Sequence, residues 1–492
     1  MDAPLVTPPP TAGRLALGAT MRTFFAEALL FPTGFVTMVV LTRQLGPSDY
    51  GIFTLVSMVI AWIEWSLAAL FSRAAIKLIG ETPDWRPLAA RVLQLTLGLS
   101  LAVTALLWLL AGPLAALFHE PALAGALRLF ALDIPLFALS YAHRSILAGI
   151  GQYALRARAS AVRWLTRMVL VVALVELGLS VTGAILGCLG ASLLELLVAS
   201  RYRPPSPFTR TGVPLRALTG YVVPLFLFSI AIRLVDKLDL FVLKALGGTA
   251  SQAGVYGAAQ NVALLPGVIT LAFSPLLLSA LTRLEQSGGD TRGLSRDAMR
   301  LTTLLLPFAL LGSGAAGEIV ELLFGPVFRP GAPILALLLI AATGNAMISV
   351  TTAILTAAGR PRWTMAITLP LLPLAVAGHL LAIPRWGAPG AAAVTALCLV
   401  GGAVTGIVAV RRRWGAALPA ATILRAGLVS ALAYGGAIAW PATGGLVVVK
   451  LAVLSGLVAL GLTLLGEFDA RERALLRSLF RLPPRAAAPQ RI

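Results

Sequence analysis

The sequence predicts an all-α integral membrane protein of about fourteen transmembrane helices, built as two parallel six-helix repeats plus two extra C-terminal helices. Three observations carry this expectation. Apolar residues fill 58% of the 492 positions and glycine adds 47 more, while charged residues make up 12%, about half of the ~25% usual in soluble domains. Mean hydropathy is +0.90. Stretches of about 20 apolar residues, enough to cross a bilayer, recur along the whole chain between Arg, Pro and Gly breaks. A soluble enzyme, a disordered chain and a secreted disulfide scaffold are excluded.

The elements follow in order. Residues 1–13 are Pro-rich and polar, and 1–17 read as a cytoplasmic tail. The first apolar segment, 18–42, carries Arg22 and Glu27 and is too long for a cleaved signal peptide, so it reads as an uncleaved span. Spans at 51–72, 91–112, 122–146, 161–179 and 181–200 complete an N-lobe, residues 18–200. A cytoplasmic linker, 201–217, leads to a C-lobe at 218–410, with spans at 218–243, 254–281, 301–323, 331–357, 363–384 and 389–410. An extra helix pair lies in 411–466, with spans at 422–441 and 444–466, before a basic cytoplasmic tail at 467–492.

Charge orients these spans. With the N-terminus inside, 29 of the 39 basic residues fall in the even-numbered loops and the tails, against five on the other side: Arg43, Lys244, Arg329, Arg385 and Lys450. Lys and Arg hold loops in the cytoplasm, so both termini are expected inside. The net charge of +19 is thereby read as topology rather than as nucleic-acid binding.

An internal repeat is also visible. Leu45-Gly46-Pro47-Ser48-Asp49-Tyr50-Gly51 lies between spans one and two; about 203 residues later Leu246-Gly247-Gly248 and Ala253-Gly254-Val255-Tyr256 lie between spans seven and eight. Ile146-Leu147-Ala148-Gly149-Ile150-Gly151 and Ile354-Leu355-Thr356-Ala357-Ala358-Gly359 match at an offset of 208. Six crossings separate the copies, so the repeats are parallel. Such lobes are related by an axis along the membrane normal and enclose a site between them.

The segment Leu41-Thr42-Arg43-Gln44-Leu45-Gly46-Pro47-Ser48-Asp49-Tyr50-Gly51-Ile52-Phe53 resembles the first-loop signature of the polysaccharide transporter family, within the multidrug/oligosaccharidyl-lipid/polysaccharide exporter superfamily. Leu147-Ala148-Gly149-Ile150-Gly151-Gln152 and Ala357-Ala358-Gly359-Arg360 extend the likeness. The resemblance implies a flippase for a polyprenyl-pyrophosphate-linked repeat unit in the bacterial inner membrane, serving lipopolysaccharide or exopolysaccharide synthesis. Its implied partners are that lipid-linked oligosaccharide, membrane lipids and other polysaccharide-assembly proteins. Locally, Gly46 and Gly51 are expected to permit a tight reversal, Pro47 to preset the turn and Asp49 to cap span two.

Ionisable residues inside the spans are the candidate site. Each charge at a helix centre costs roughly 2.5–3.5 kcal/mol on insertion scales, so these groups are expected to face a wet cavity, pair or snorkel. Arg233 and Lys237 are four apart and share a helix face. With Arg128, Arg22 and Arg144 they are the candidate cationic contacts for a phosphate linkage, which suits the planar guanidinium fork. Asp236, Asp239, Asp133, Glu27 and Glu64 are the candidates for a coupling cation or proton.

Two cysteines and three histidines are too scattered for a metal site, and no phosphate-binding Gly loop or nucleophile–base pair is evident. No cofactor and no enzymatic activity are expected. A cation-coupled drug exporter of the same superfamily is the alternative transporter; a non-transporting scaffold or an enzyme of polysaccharide assembly is the alternative outside transport.

Overall fold

The computed structural model describes residues 21–202, 204–206, 208, 237–359, 361–468 and 472. Helix α1, Leu30–Glu81, continues a helix that begins at Met21 and totals 61 residues. At 1.5 Å per residue that is about 90 Å, three times a hydrocarbon core of about 30 Å. One crossing cannot hold it. The break is Gly46, with φ 68° and ψ 178°, a backbone conformation that a Cβ disfavours. Pro47 follows in the first turn of the second half, where its missing N–H costs nothing.

The same construction recurs twice. Helix α5, Tyr153–Leu174, passes through a π-helical turn at Val175–Leu179 into α6, Ser180–Ala199, with the break at Gly178. Helix α15, Leu371–Trp414, breaks at Gly387. The remaining elements are α2 (Arg86–Leu117), α3 (Ala122–Phe130), α4 (Asp133–Gly149), α7 (Leu238–Ala245), α8 (Ala250–Ala263) and α9 (Gly267–Gln286). They continue with α10 (Thr291–Thr303), α11 (Leu305–Gly314), α12 (Ala316–Phe324), α13 (Ala332–Ala357) and α14 (Pro361–Thr368) before α15, then α16 (Ala420–Ala439) and α17 (Leu446–Leu464). Among the described residues, eight helices are long and apolar enough to cross a membrane, or nine with the bent 291–324 pair counted as one span. Three of the eight are the double-length helices. Span seven lies largely outside the described residues, including Arg233 and Asp236.

The described residues form two compact units. The first runs up to Gln260 and takes in Leu323–Gly331 and Val376–Val394. The second holds Asn261–Leu322, Ala332–Ala375 and Thr395 onward. The first unit therefore contains the described part of the expected N-lobe, 18–200, together with three short segments of the expected C-lobe.

Within the first unit, the two copies of the repeated loop cross. A Cβ on Gly51 would sit 1.8 Å from the Ala250 carbonyl oxygen, and a Cβ on Gly254 would sit 2.0 Å from the Pro47 carbonyl oxygen. Pro47 and Gly51 stand 203 positions before Ala250 and Gly254. The contact is reciprocal, as a local two-fold axis requires. Gly257 extends it, packing on the Thr54 side chain at the same offset. Glycine serves here for close backbone approach; the reversal expected at Gly51 is made by Gly46 alone. Asp49 does not cap the helix but accepts a hydrogen bond from Ser180 Oγ at 2.6 Å.

The second unit has two apolar cores. Met299, Ile354 and Val410 are at the heart of one, and Leu311, Val429 and Val458 of the other, which joins α16 and α17 to α11. Lys450 of α17 is fully buried and donates to Glu318 Oε2 and to the Ala437 carbonyl, both at 2.6 Å. Glu318 also accepts from Ala442 N at 2.9 Å. A second ion cluster joins Arg300 and Arg425 to Glu467. The extra helix pair is thus tied to the bent 291–324 helices by charge as well as by packing.

Two outcomes test this packing. Gly51→Ala or Gly254→Ala will each lower the melting temperature in detergent by several degrees, an overpacking cost of about 1–3 kcal/mol, whereas Gly34→Ala, with open space around it, will not. Lys450→Met will be strongly destabilising because it strips the partner from Glu318, and adding Glu318→Gln will recover part of the loss.

Candidate functional site

Among the described residues of the first unit, six acidic or basic side chains surround a cavity of about 140 Å³: Glu27, Glu64, Asp133, Arg144, Arg163 and Arg167. Four pieces of helix supply its ionisable groups. Glu27 comes from the start of the first long helix and Glu64 from the second half of α1. Asp133 and Arg144 come from the two ends of α4. Arg163 and Arg167 come from the middle of α5. The break between α3 and α4 places Asp133 in the first turn of a helix, buried to 2% exposure, where the positive end of the dipole favours a carboxylate.

Glu195 of α6, with no exposure at all, bridges two guanidiniums. Its Oε2 accepts from Arg163 Nη1 at 2.8 Å and its Oε1 lies 3.3 Å from Arg144 Nε. Arg144 reaches Glu27 Oε1 at 3.2 Å through Nη1, and Ser160 Oγ donates to the same oxygen at 2.9 Å. The chain of ions therefore runs Arg163–Glu195–Arg144–Glu27, from a buried end to a carboxylate whose side chain is 39% exposed. Aromatic faces complete the cations' surroundings: Arg144 lies 4.7 Å from the Tyr141 ring and Arg163 4.4 Å from the Phe137 ring.

A second polar cluster forms in the same unit around Asp239. Tyr256 Oη donates to Asp239 Oδ2 at 2.5 Å, Gln260 Nε2 donates to both carboxylate oxygens, and Leu240 N donates to Oδ1 at 2.8 Å. Lys237 donates to Gln260 Oε1, so the amide links the lysine to the aspartate. The buried His379 of α15 stands near enough to interact with the Asp239 charge.

Of the residues singled out from sequence, the structure gathers Glu27, Glu64, Asp133 and Arg144 around one cavity, and Lys237 with Asp239 in the second cluster. It does not bring Arg22 or Arg128 to either; both are exposed. Arg233 and Asp236 lie outside the described residues. Arg163 stands at the edge of the span expected at 161–179, yet α5 begins ten residues earlier, at Tyr153, and Arg163 is 5% exposed. The available signal was its spacing: Arg163 and Arg167 are four apart, one helical turn. Glu195 carries no signal of pairing, because its partners are distant in sequence.

Comparison with known proteins places this geometry. Residues 40–333 match the family model described as polysaccharide biosynthesis protein. No curated protein matches the chain significantly. The fold is similar to that of a lipid II flippase, MurJ, in an inward closed conformation: TM-score 0.74, 15% identity, 94% of this chain and 100% of that one covered. It is similar to an inward-facing multidrug resistance MATE family transporter of the MOP superfamily, with TM-score 0.63, 16% identity and coverage of 84% and 99%. It is also similar to a mutant of the Vibrio cholerae MATE transporter VcmN, with TM-score 0.55, 17% identity and coverage of 81% and 97%. The matched region spans more than half of the sequence, and the chain belongs to the polysaccharide biosynthesis protein family.

Proposed function

We propose that this protein is a flippase that carries a polyprenyl-pyrophosphate-linked saccharide across the bacterial inner membrane by alternating access, for cell-surface polysaccharide synthesis. One observation carries the reading: a chain that belongs to a polysaccharide biosynthesis family has, over 94% of its length, a fold similar to that of a lipid II flippase. A polysaccharide pathway built on a lipid carrier has one step that needs such a fold, the passage of a hydrophilic headgroup through hydrocarbon. Both termini are proposed to be cytoplasmic, and lobes 18–200 and 218–410 to be the moving parts.

The cargo's phosphate linkage is anionic, and Arg144 is its proposed first contact. Its partner Glu27 is half-exposed, so an entering anion can displace that carboxylate while Glu195 keeps the guanidinium oriented. Lys237, Arg233, Arg22 and Arg128 are proposed further cationic contacts. Asp239, Asp236 and the acids of the cavity are the proposed seat of ion coupling. Multidrug export is the rival reading, and it rests on the same fold.

The decisive assay is translocation of a fluorescent lipid-linked oligosaccharide in reconstituted vesicles. Wild type will expose it on the opposite leaflet. Arg144→Ala will slow this about tenfold or more at equal protein abundance, and Arg144→Lys will recover part, because the second hydrogen bond of the fork is lost. Active export of cationic dyes with no oligosaccharide movement would overturn the flippase reading. For orientation, alkaline phosphatase fused after residue 250 will be active and after residue 290 inactive; the reverse pattern would invert the topology.

A further inference from the structure

Glu64 and Asp133 line the same cavity, both buried, at 6% and 2% exposure. An ionised carboxylate is only an acceptor, so two such groups can bond to each other only by sharing one proton. Glu64 Oε1 and Asp133 Oδ1 are buried with no hydrogen-bond partner among the described residues. Charge counting leads to the same number. The groups that face or join this pair are Arg163 and Arg167 of α5, Arg144 of α4, Glu195 and Cys188 of α6, and Glu27. Three guanidiniums stand against four carboxyls, and one proton makes the cluster neutral.

An independent observation points to an occupant of the cavity. Trp164 lines it, is 6% exposed, and has no acceptor for its indole Nε1–H. The cavity has room for several waters at about 30 Å³ each. Water accepts from an indole N–H and exchanges protons with a carboxyl group.

We propose that Glu64 and Asp133 form a proton-binding dyad, sharing one exchangeable proton that the water of this cavity delivers and removes. On unloading, the O–H bond of the protonated carboxyl breaks, the proton passes to cavity water and leaves past the exposed Glu27, and both carboxylates remain ionised beside Arg163 and Arg167. Arg163 is then drawn toward the dyad and loosens on Glu195, which turns its charge to Arg144. Reloading reverses this and frees Arg144 for an anion. Loading therefore strengthens anion binding at Arg144. This last step rests on the flippase reading; the dyad itself does not.

Infrared spectroscopy of the full chain in lipid nanodiscs tests the dyad without any cargo. Wild type will show the stretch of a protonated carboxyl group that shifts on H/D exchange and titrates as one proton per chain. Glu64→Gln and Asp133→Asn will each lose that band while keeping wild-type helicity by circular dichroism. Absence of the band from wild type at every pH, or its survival in both variants, overturns the proposal. Displacement of the band by sodium chloride but not by choline chloride at fixed pH also overturns it, in favour of a sodium site. If either variant misfolds, the wild-type band and its deuterium shift decide. In vesicles that translocate the oligosaccharide, the wild-type rate will change with an imposed pH gradient and the Glu64→Gln rate will not. A confirmed band with no oligosaccharide movement in any form would sink the flippase reading alone.

Discussion

The ion chain Arg163–Glu195–Arg144 is the constraint around which the first unit is arranged. Glu195 has no contact with solvent and both its partners are buried. Removing two or three charges from water is costly, and mutual attraction compensates only when geometry is close and the remaining donors and acceptors are met. Here the geometry needs three helices at once: α4 for Arg144, α5 for Arg163 and α6 for Glu195. The hairpin of α5 and α6 is therefore fixed in register with α4. The Gly178 break and its π-helical turn allow α6 to fold back so that Glu195 faces α5. Truncating Glu195 would leave two buried guanidiniums facing each other, a far larger cost than losing one surface pair.

Close backbone contact supplies the second constraint. The crossing at Gly51 and Gly254 brings helices together where any side chain would collide with a carbonyl. In lipid, helix association gains little from apolar burial and depends on small residues that let backbones touch. Around this crossing Lys244 donates to Glu120 Oε2 at 2.9 Å, and Phe241 packs against Phe118 with ring centroids 5.4 Å apart. Arg43 Nε donates to the Leu323 carbonyl at 2.9 Å. Basic residues counted from the sequence as mere topology markers are here structural partners of the opposite half of the chain.

Most of the fold was legible because bilayer thickness imposes a length on every element. Apolar runs of about 20 residues, Gly and Pro breaks and alternating arginines located the spans, and the double-length helices divide at Gly46, Gly178 and Gly387, close to the expected boundaries. The candidate site was only half legible. Glu64, Asp133, Arg144 and Glu27 stood out because charge is rare in an apolar run. Their partners did not. Whether Arg163 is a loop charge or a buried cation depends on where α5 begins, and hydropathy places that edge poorly when the first turns are rich in Arg. Pairing with Glu195 depends on the rotation of two helices about their axes, which a sparse charge pattern does not specify.

A lumen of bare cations and the observed arrangement differ in what they can do. Unpaired arginines in an apolar surround would carry an insertion cost of several kcal/mol each. They would also hold a pyrophosphate too tightly to release it. Arg144 is instead already neutralised, by Glu195 on its buried side and by Glu27 on its exposed side. An anion binding there would exchange for a carboxylate rather than create a new ion pair, so much of its attraction would be spent displacing Glu27. Under the proposed function, binding there would be weak enough to reverse, which a carrier needs at both faces of the membrane. The buried carboxylate keeps the guanidinium plane oriented, and the half-exposed one would set how strongly the proposed anion competes for it.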